Sequence, residues 1–399
     1  MNLAARARMA GSARDRQDFW CLTGAIAMVG LALGTLLPLT ALQLNAAGLG
    51  SATIGLIVSV HAFGLVLAIF ICEHSTRVLG ARKTIECSGV AAAAIAVLMQ
   101  GLQGPLALAV ALFFLGVLLG VVFNMVESWV NEVVPEAQRG FWLAVHCTLF
   151  TLFQLSGPLI VQFAPTQYAF VVSAGLMLLA WPIYRMLSTR QLGIELDAVQ
   201  ESRVPWGQYL LSAPVVAVGT ALFALFDTIV LSLLPIYGLA QGMDTASALV
   251  SASVVLAGDT SLEVVVGALA DRMGRARVHA LCAIGLMGAS ALLPFSIGTV
   301  FWWPLLFAMG GAAGGIYVLA MMACGQRFRG KHLLRMTALM GSVWGVASIA
   351  GPLVTGSLMS QNSKWSIPAV VFFMAACLAA SLAYEKFRKF GPHKDFSHA

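Results

Sequence analysis

Charge is scarce in this chain. Only 10% of its 399 residues are Asp, Glu, Lys or Arg, while 59% are hydrophobic, and a soluble domain of that make-up lacks the polar residues to cover its surface. The mean hydropathy of +0.88 agrees. The cysteines Cys21, Cys72, Cys87, Cys147, Cys282, Cys324 and Cys377 show no metal-type spacing, so we read them as small apolar packing residues and expect no metal. No HExxH, GxSxG or P-loop run occurs, and no connection is long enough for a catalytic domain; these absences count against a membrane enzyme and against ATP-driven work, and no cofactor is expected. No basic patch is interleaved with aromatics, so the pI of about 9.1 is not a nucleic-acid footprint.

Long apolar runs fill the rest. About 20 apolar residues cross roughly 30 Å of hydrocarbon at 1.5 Å per residue, and twelve such stretches can be marked: 20–46, 52–73, 84–103, 106–134, 141–163, 166–187, 208–238, 246–267, 278–299, 301–325, 337–360 and 365–384. Of the 23 Lys and Arg residues, 22 fall on alternate connecting segments, and only Lys364 falls on the others. The positive-inside rule then places both termini in the cytoplasm. The first span is longer than the apolar region of a signal peptide.

The chain repeats itself. Val78-Leu79-Gly80-Ala81-Arg82-Lys83 after the second span corresponds to Arg272-Met273-Gly274-Arg275-Ala276-Arg277 after the eighth, and Ser156-Gly157-Pro158-Leu159 corresponds to Ala350-Gly351-Pro352-Leu353, both 194 residues apart. A third pair, Leu36-Leu37-Pro38-Leu39 and Leu233-Leu234-Pro235-Ile236, falls at 197. We therefore expect an all-α membrane protein of 12 transmembrane helices in two six-helix bundles, 20–187 and 208–384. A linker at 188–207 joins them, with cytoplasmic tails at 1–19 and 385–399. The Gly-Pro pairs are expected to interrupt equivalent helices.

The run from Gly267 to Arg277, with Gly267, Asp271, Arg272, Gly274, Arg275 and Arg277 in place, resembles the GxxxDRxGRxR loop motif of the major facilitator superfamily. Span count, termini and the half-chain repeat extend the likeness to the whole chain. The resemblance implies that Asp271 and its arginines latch the halves in an outward-facing state; the alternative is that these charges only enforce topology. In the first half the Asp position is Arg77 and the leading Gly position is Glu73, while the fourth-span arginine position is Leu112. These departures argue against a standard drug antiporter or sugar symporter. Val126-Glu127-Ser128-Trp129-Val130-Asn131-Glu132 is similar to a poorly characterised bacterial subgroup that includes riboflavin importers.

Ionisable residues at membrane depth cost about 2.5 to 3.5 kcal/mol each, so each asks for a reason. Asp227, Asp259 and Glu263 fall inside spans, and Glu263 lies one turn from Asp259 on the same helix face. Two carboxylates stacked in low dielectric do not both ionise cheaply and are expected to titrate as a unit. With Glu127 they are our candidates for proton or cation coupling; the plain alternatives are a neutral carboxyl bonded to a neighbouring helix and, for Glu127, a snorkelling helix end. His61, Asn124, His146, Gln154, Tyr317 and Trp344 are candidate cavity residues, because the resemblance puts spans one, four, seven and ten around a central path. A satisfied structural histidine is the alternative for His61 and His146.

Together these features point to a secondary active transporter of a small organic solute, such as a metabolite, vitamin or drug-like molecule, working by alternating access with proton coupling. A transporter-like sensor or lipid scramblase is the alternative, and a membrane enzyme fits less well. Expected partners are a small-molecule substrate, protons or another cation and the lipid bilayer of the cell (inner) membrane, with no nucleic acid and a monomeric state. Acids without buried Lys or Arg favour neutral or cationic, partly aromatic solutes over anions.

Overall fold

A computed structural model describes residues 12–135, 138–163, 168–188, 206–328 and 330–388. Hydrocarbon offers no partner to a backbone N–H or C=O, so a spanning segment must bond internally, and the described residues form helices without strands. The first half contains α1 (Ala13–Ala46), α2 (Ser51–Leu79), α3 (Ala81–Met99), α4 (Pro105–Val133), α5 (Arg139–Phe163), α6 (Ala169–Leu178) and α7 (Trp181–Met186). The second contains α8 (Trp206–Ser212), α9 (Pro214–Ser232), α10 (Leu234–Ala240), α11 (Thr245–Met273), α12 (Arg275–Ser296), α13 (Trp302–Arg327), α14 (Gly330–Gln361) and α15 (Ser366–Arg388).

Eleven segments in the described residues are long and apolar enough to cross a membrane, with α6 and α7 counted as one. The twelfth expected span is α3, which falls outside that group because its first two turns carry Arg82, Lys83 and Glu86. It still packs on α4 and α6 and completes the first six-helix bundle. Large apolar side chains such as Phe70, Phe163, Val264, Val300 and Phe387 stay exposed, as lipid contact requires.

Several boundaries differ from the hydropathy reading. The first helix starts at Ala13, not 20, because Ser12 and Asp15 form a reciprocal capping box that extends α1 through a polar turn. The seventh span is broken twice, before Pro214 and before Pro235, where proline lacks the N–H that would continue the ladder. The Gly-Pro pairs do not interrupt their helices: Pro158 and Pro352 sit inside continuous α5 and α14. The expected linker at 188–207 lies mostly outside the described residues, as do residues 1–11 and 389–399 of the tails.

The repeat is visible in the backbone. Glycines with positive φ pair as Gly48 with Gly242, Gly80 with Gly274 and Gly104 with Gly298, each pair 194 residues apart. At these turns the left-handed conformation removes any side-chain choice but glycine. Pro38 and Pro235 fall three residues out of that register, and only Pro235 accompanies a helix break, so that third pair is not a true landmark of the repeat.

Within the halves α1 packs on α5, α2 on α4, α9 on α14 and α11 on α13; between them α2 meets α14 and α5 meets α11. The face carrying the Gly80 and Gly274 turns also holds the start of α1 and the end of α15, and we call it the terminal face. On the opposite face the halves are closed at backbone distance. A Cβ on Gly55 would collide with the Pro352 carbonyl, and one on Gly356 would lie 2.5 Å from the Ser51 carbonyl oxygen. Ser59 Oγ donates to the Ile349 carbonyl at 2.8 Å and Ser253 Oγ to the Leu155 carbonyl at 2.7 Å. Small residues permit such approach, and interhelical hydrogen bonds add to it.

Two outcomes follow. Gly55→Leu is expected to hold α2 and α14 apart, and spin labels at Ala47 and Asn362 should report a longer distance than in the parent protein; an unchanged distance would show the contact to be dispensable. Asp244 caps α11, accepting from the Ser247 N–H at 2.9 Å, and these Ser247 hydrogen bonds hold its carboxyl below the usual carboxylate range. A lowered folded-state value means that the cap stabilises above the ordinary titration range and is lost as pH falls through the lowered value. Asp244→Ala should therefore lower the thermal midpoint at neutral pH, with the difference closing in acid.

Candidate functional site

The polar groups at membrane depth lie within each half and meet across the seam at Gln154 and Asp227. Nearest the terminal face, His146 of α5 is 1% exposed, with Nδ1 3.1 Å from Thr23 Oγ1 of α1 and Nε2 3.3 Å from Glu127 Oε1 of α4. Phe19 and Trp142, with ring centroids 5.2 Å apart, pack beside this histidine. Glu127 keeps 35% of its side chain exposed, while His146 is buried. The neutral Nε2–H tautomer donates to Glu127 and accepts from Thr23. A protonated ring donates at both ends with Thr23 accepting, so the same geometry serves either state.

Deeper in the seam, Asp227 of α9 accepts from Gln154 Nε2 of α5 at 3.4 Å, a bond between the halves. Asp259 of α11 is 4% exposed, and its Oδ1 has no hydrogen-bond partner. It lies within electrostatic reach of Glu263 on its own helix and Asp227 on α9. Tyr317 of α13 in turn feels Glu127 and Glu263, as does Cys147 of α5. Asp259 is thus linked to two other carboxyls, one on its own helix and one on α9. No Lys or Arg pairs with Asp227, Asp259 or Glu263 among the described residues.

An aromatic wall stands beside them. Phe223 stacks on Tyr317 at 4.9 Å and 14°, and Trp344 of α14 meets both edge-on, at 5.6 and 5.3 Å. Phe223 lies one helical turn before Asp227, on the same face of α9.

Not every expected residue joins this group. Asn124 turns back to its own helix, donating to the Gly120 carbonyl at 2.7 Å. His61 is 3% exposed and its Nε2 has no partner; its backbone packs on Gly116 of α4, away from the bonded groups above. Arg335, counted with a loop in the sequence, is buried in α14 with its guanidinium 5.5 Å over the Tyr209 ring. The loop residues Asp271, Arg272, Gly274 and Arg277 are exposed, Arg275 and Gly267 are half-buried, and Gly274 ends α11 at φ +90. Asp271 forms no ion pair among the described residues, so no latch is engaged in this conformation. Sequence reasoning missed Thr23 and Phe223. A hydroxyl on a buried helix carries no signal until its partner is known, and Phe223 was marked only by its spacing from Asp227.

The sequence pattern of the Major Facilitator Superfamily matches residues 19–258 and 251–395. The chain belongs to this superfamily. It is 24% identical over 408 residues to the MFS-type transporter YfkF of Bacillus subtilis, covering 96% of this chain and 99% of that protein. Its fold is similar to that of the nucleoside transporter NupG (D323A mutant), with a TM-score of 0.70 at 12% identity over 94% of this chain and 100% of that one. The D-xylose-proton symporter is similar too, with a TM-score of 0.69 at 14% identity over 94% and 98% of the two chains. As a superfamily member with twelve helices in two bundles, this is a multi-pass membrane transport protein and not an enzyme. At such identities the solved structures establish the fold alone.

The buried Thr23–His146–Glu127 chain can be checked by stability. His146→Phe removes the ring nitrogen that meets the buried Thr23 hydroxyl, a change of about 1–3 kcal/mol, and should lower the thermal midpoint, whereas His146→Gln should retain most of it. Equal midpoints for both variants would show that the two contacts contribute nothing.

Proposed function

We propose that the protein is a secondary active transporter that moves a small organic solute by alternating access, driven by protons. The supporting observation is the carboxyl cluster at the seam, bonded across it by Gln154 and Asp227. A group there changes its surroundings whenever the halves move, and binding that differs between two states is what drives an equilibrium between them. Asp259, nearly dry and with Oδ1 unpartnered, is cheap to keep only in its neutral form. Glu263 and Asp227 are the neighbours whose charge is felt when that proton leaves.

The basic loops assign the terminal face, and with it both termini, to the cytoplasm of a cell whose inner membrane the protein spans as a monomer. On that assignment the closed contacts at Gly55, Gly356 and Ser253 shut the outer side, and the exposed Asp271 loop matches an inward-facing state. The halves that rock are 20–187 and 208–384, and the loop from Gly267 to Arg277 latches them when the inner side closes. Solute binds between them against Phe223, Tyr317 and Trp344, with Gln154 as a further polar contact. Acids beside aromatic faces favour neutral or cationic, partly aromatic solutes.

A thermal-shift screen against metabolites, flavins and cationic drugs identifies the solute, since a ligand of the folded state raises its apparent stability. With that compound in proteoliposomes, Asp259→Asn combined with Glu263→Gln is expected to abolish accumulation driven by a pH gradient while exchange down a solute gradient continues. Full proton-driven accumulation in the double variant would reject the coupling assignment.

A further inference from the structure

The packing around Asp259 contains a residue that the sequence reading did not single out. Helices α11 and α13 cross with almost no side chain between them: a Cβ on Gly258 would collide with the Phe307 carbonyl, and one on Gly310 with the Val255 carbonyl. At this crossing the Asp259 carboxyl, 4% exposed and with Oδ1 unpartnered, points into the backbone of α13 at Gly314. Oδ1 occupies the position that a side chain at residue 314 would take, and its Cγ lies 2.8 Å from that position. The neighbouring glycines differ. Gly311 and Gly315 face the apolar side chains of Leu262 and Val266. Only at 314, among these, does a polar group of the facing helix fill the space of the missing side chain.

We propose, resting on the reading of Asp259 as a coupling acid, that Gly314 is a positioning residue whose missing side chain makes a dry berth for the Asp259 carboxyl. In the berth the oxygen faces a Cα hydrogen of glycine, a weak contact that tolerates a neutral carboxyl and does little for a charged one. The other titratable groups that act on it are Glu263 of α11 and Asp227 of α9, the latter held by Gln154 of α5. To give up its proton the carboxyl has to leave the berth, by turning its side chain or by a shift of α11 along α13. Proton release is thereby tied to helix movement. Any side chain at 314 evicts the carboxyl in every state and breaks that tie.

The test is a double-mutant cycle on thermal midpoints, using the full-length protein in detergent. In Asp259→Ala the nearest remaining atom of residue 259 to a Cβ at 314 is its Cα, at 3.4 Å, an ordinary contact. Gly314→Ala is therefore expected to lower the midpoint by several degrees in the parent protein and by much less in the Asp259→Ala background. Equal losses in both backgrounds overturn the proposal. So does failure of the Gly314→Ala, Asp259→Ala double variant to fold, because only ordinary contacts remain in it. Gly315→Ala, which meets Val266 and Cys282 side chains, should show the same loss whatever residue occupies 259. Infrared spectra of the reconstituted protein supply a readout that packing alone would not move. The carbonyl band of a protonated carboxyl, assigned by its loss in Asp259→Asn, should shift in Gly314→Ala, and an unmoved band overturns the berth. Thermal coupling without any band sensitive to Asp259→Asn keeps the berth and removes the coupling role on which the proposed transport mechanism depends.

Discussion

Hydrocarbon cannot accept or donate a hydrogen bond, and this single constraint shapes the molecule at every level. It forces the backbone into helices that bond to themselves. It also removes the usual hydrophobic drive for helices to associate, because lipid tails are as apolar as the side chains they would exchange for. What remains is close packing and a few interhelical polar contacts. The halves meet accordingly, through bare backbone at Gly55 and Gly356 and through serine hydroxyls at Ser59 and Ser253.

The same constraint explains where the acids lie. A carboxyl facing lipid finds no partner, so Asp227, Glu127 and Asp259 turn toward other helices, and each solution differs. Asp227 takes a hydrogen bond from the other half, Glu127 pairs with a buried histidine, and Asp259 is pressed against a backbone with no bond for Oδ1. The unequal partners matter for the proposed transport cycle, in which a group satisfied in every conformation would have no reason to change its proton. Contacts of this kind, made by short side chains over small residues, are also broken at modest cost.

Much of the architecture was legible because lipid imposes a length scale on sequence. Apolar runs and basic loops marked the spans, and the repeat of 194 residues found in Gly80 and Gly274 recurred in the backbone at Gly48 with Gly242 and Gly104 with Gly298. Boundaries were misjudged where local chemistry overrides apolarity. The Ser12 capping box lengthened α1, while Pro214 and Pro235 divided the seventh span. Pro158 and Pro352 show the opposite error. Both were expected to break helices, yet both helices run on through them, and the Pro352 carbonyl lies against Gly55.

For the site, the sequence by itself determined which groups needed a reason to be there: an acid in a long apolar run is costly wherever it points, so Asp227, Asp259 and Glu263 stood out from composition alone. It also determined the number of spans and their alternation, because both follow from one-dimensional periodicity. Only the tertiary structure decided which partner each acid meets. His146 bridges Thr23 and Glu127, Gln154 reaches Asp227 across the seam, and Gly314 receives Asp259. These pairings join residues far apart in the chain, and they depend on the rotation of each helix about its axis and on where neighbouring backbones come close. Those are properties of packing, which no periodicity along a single strand of sequence encodes.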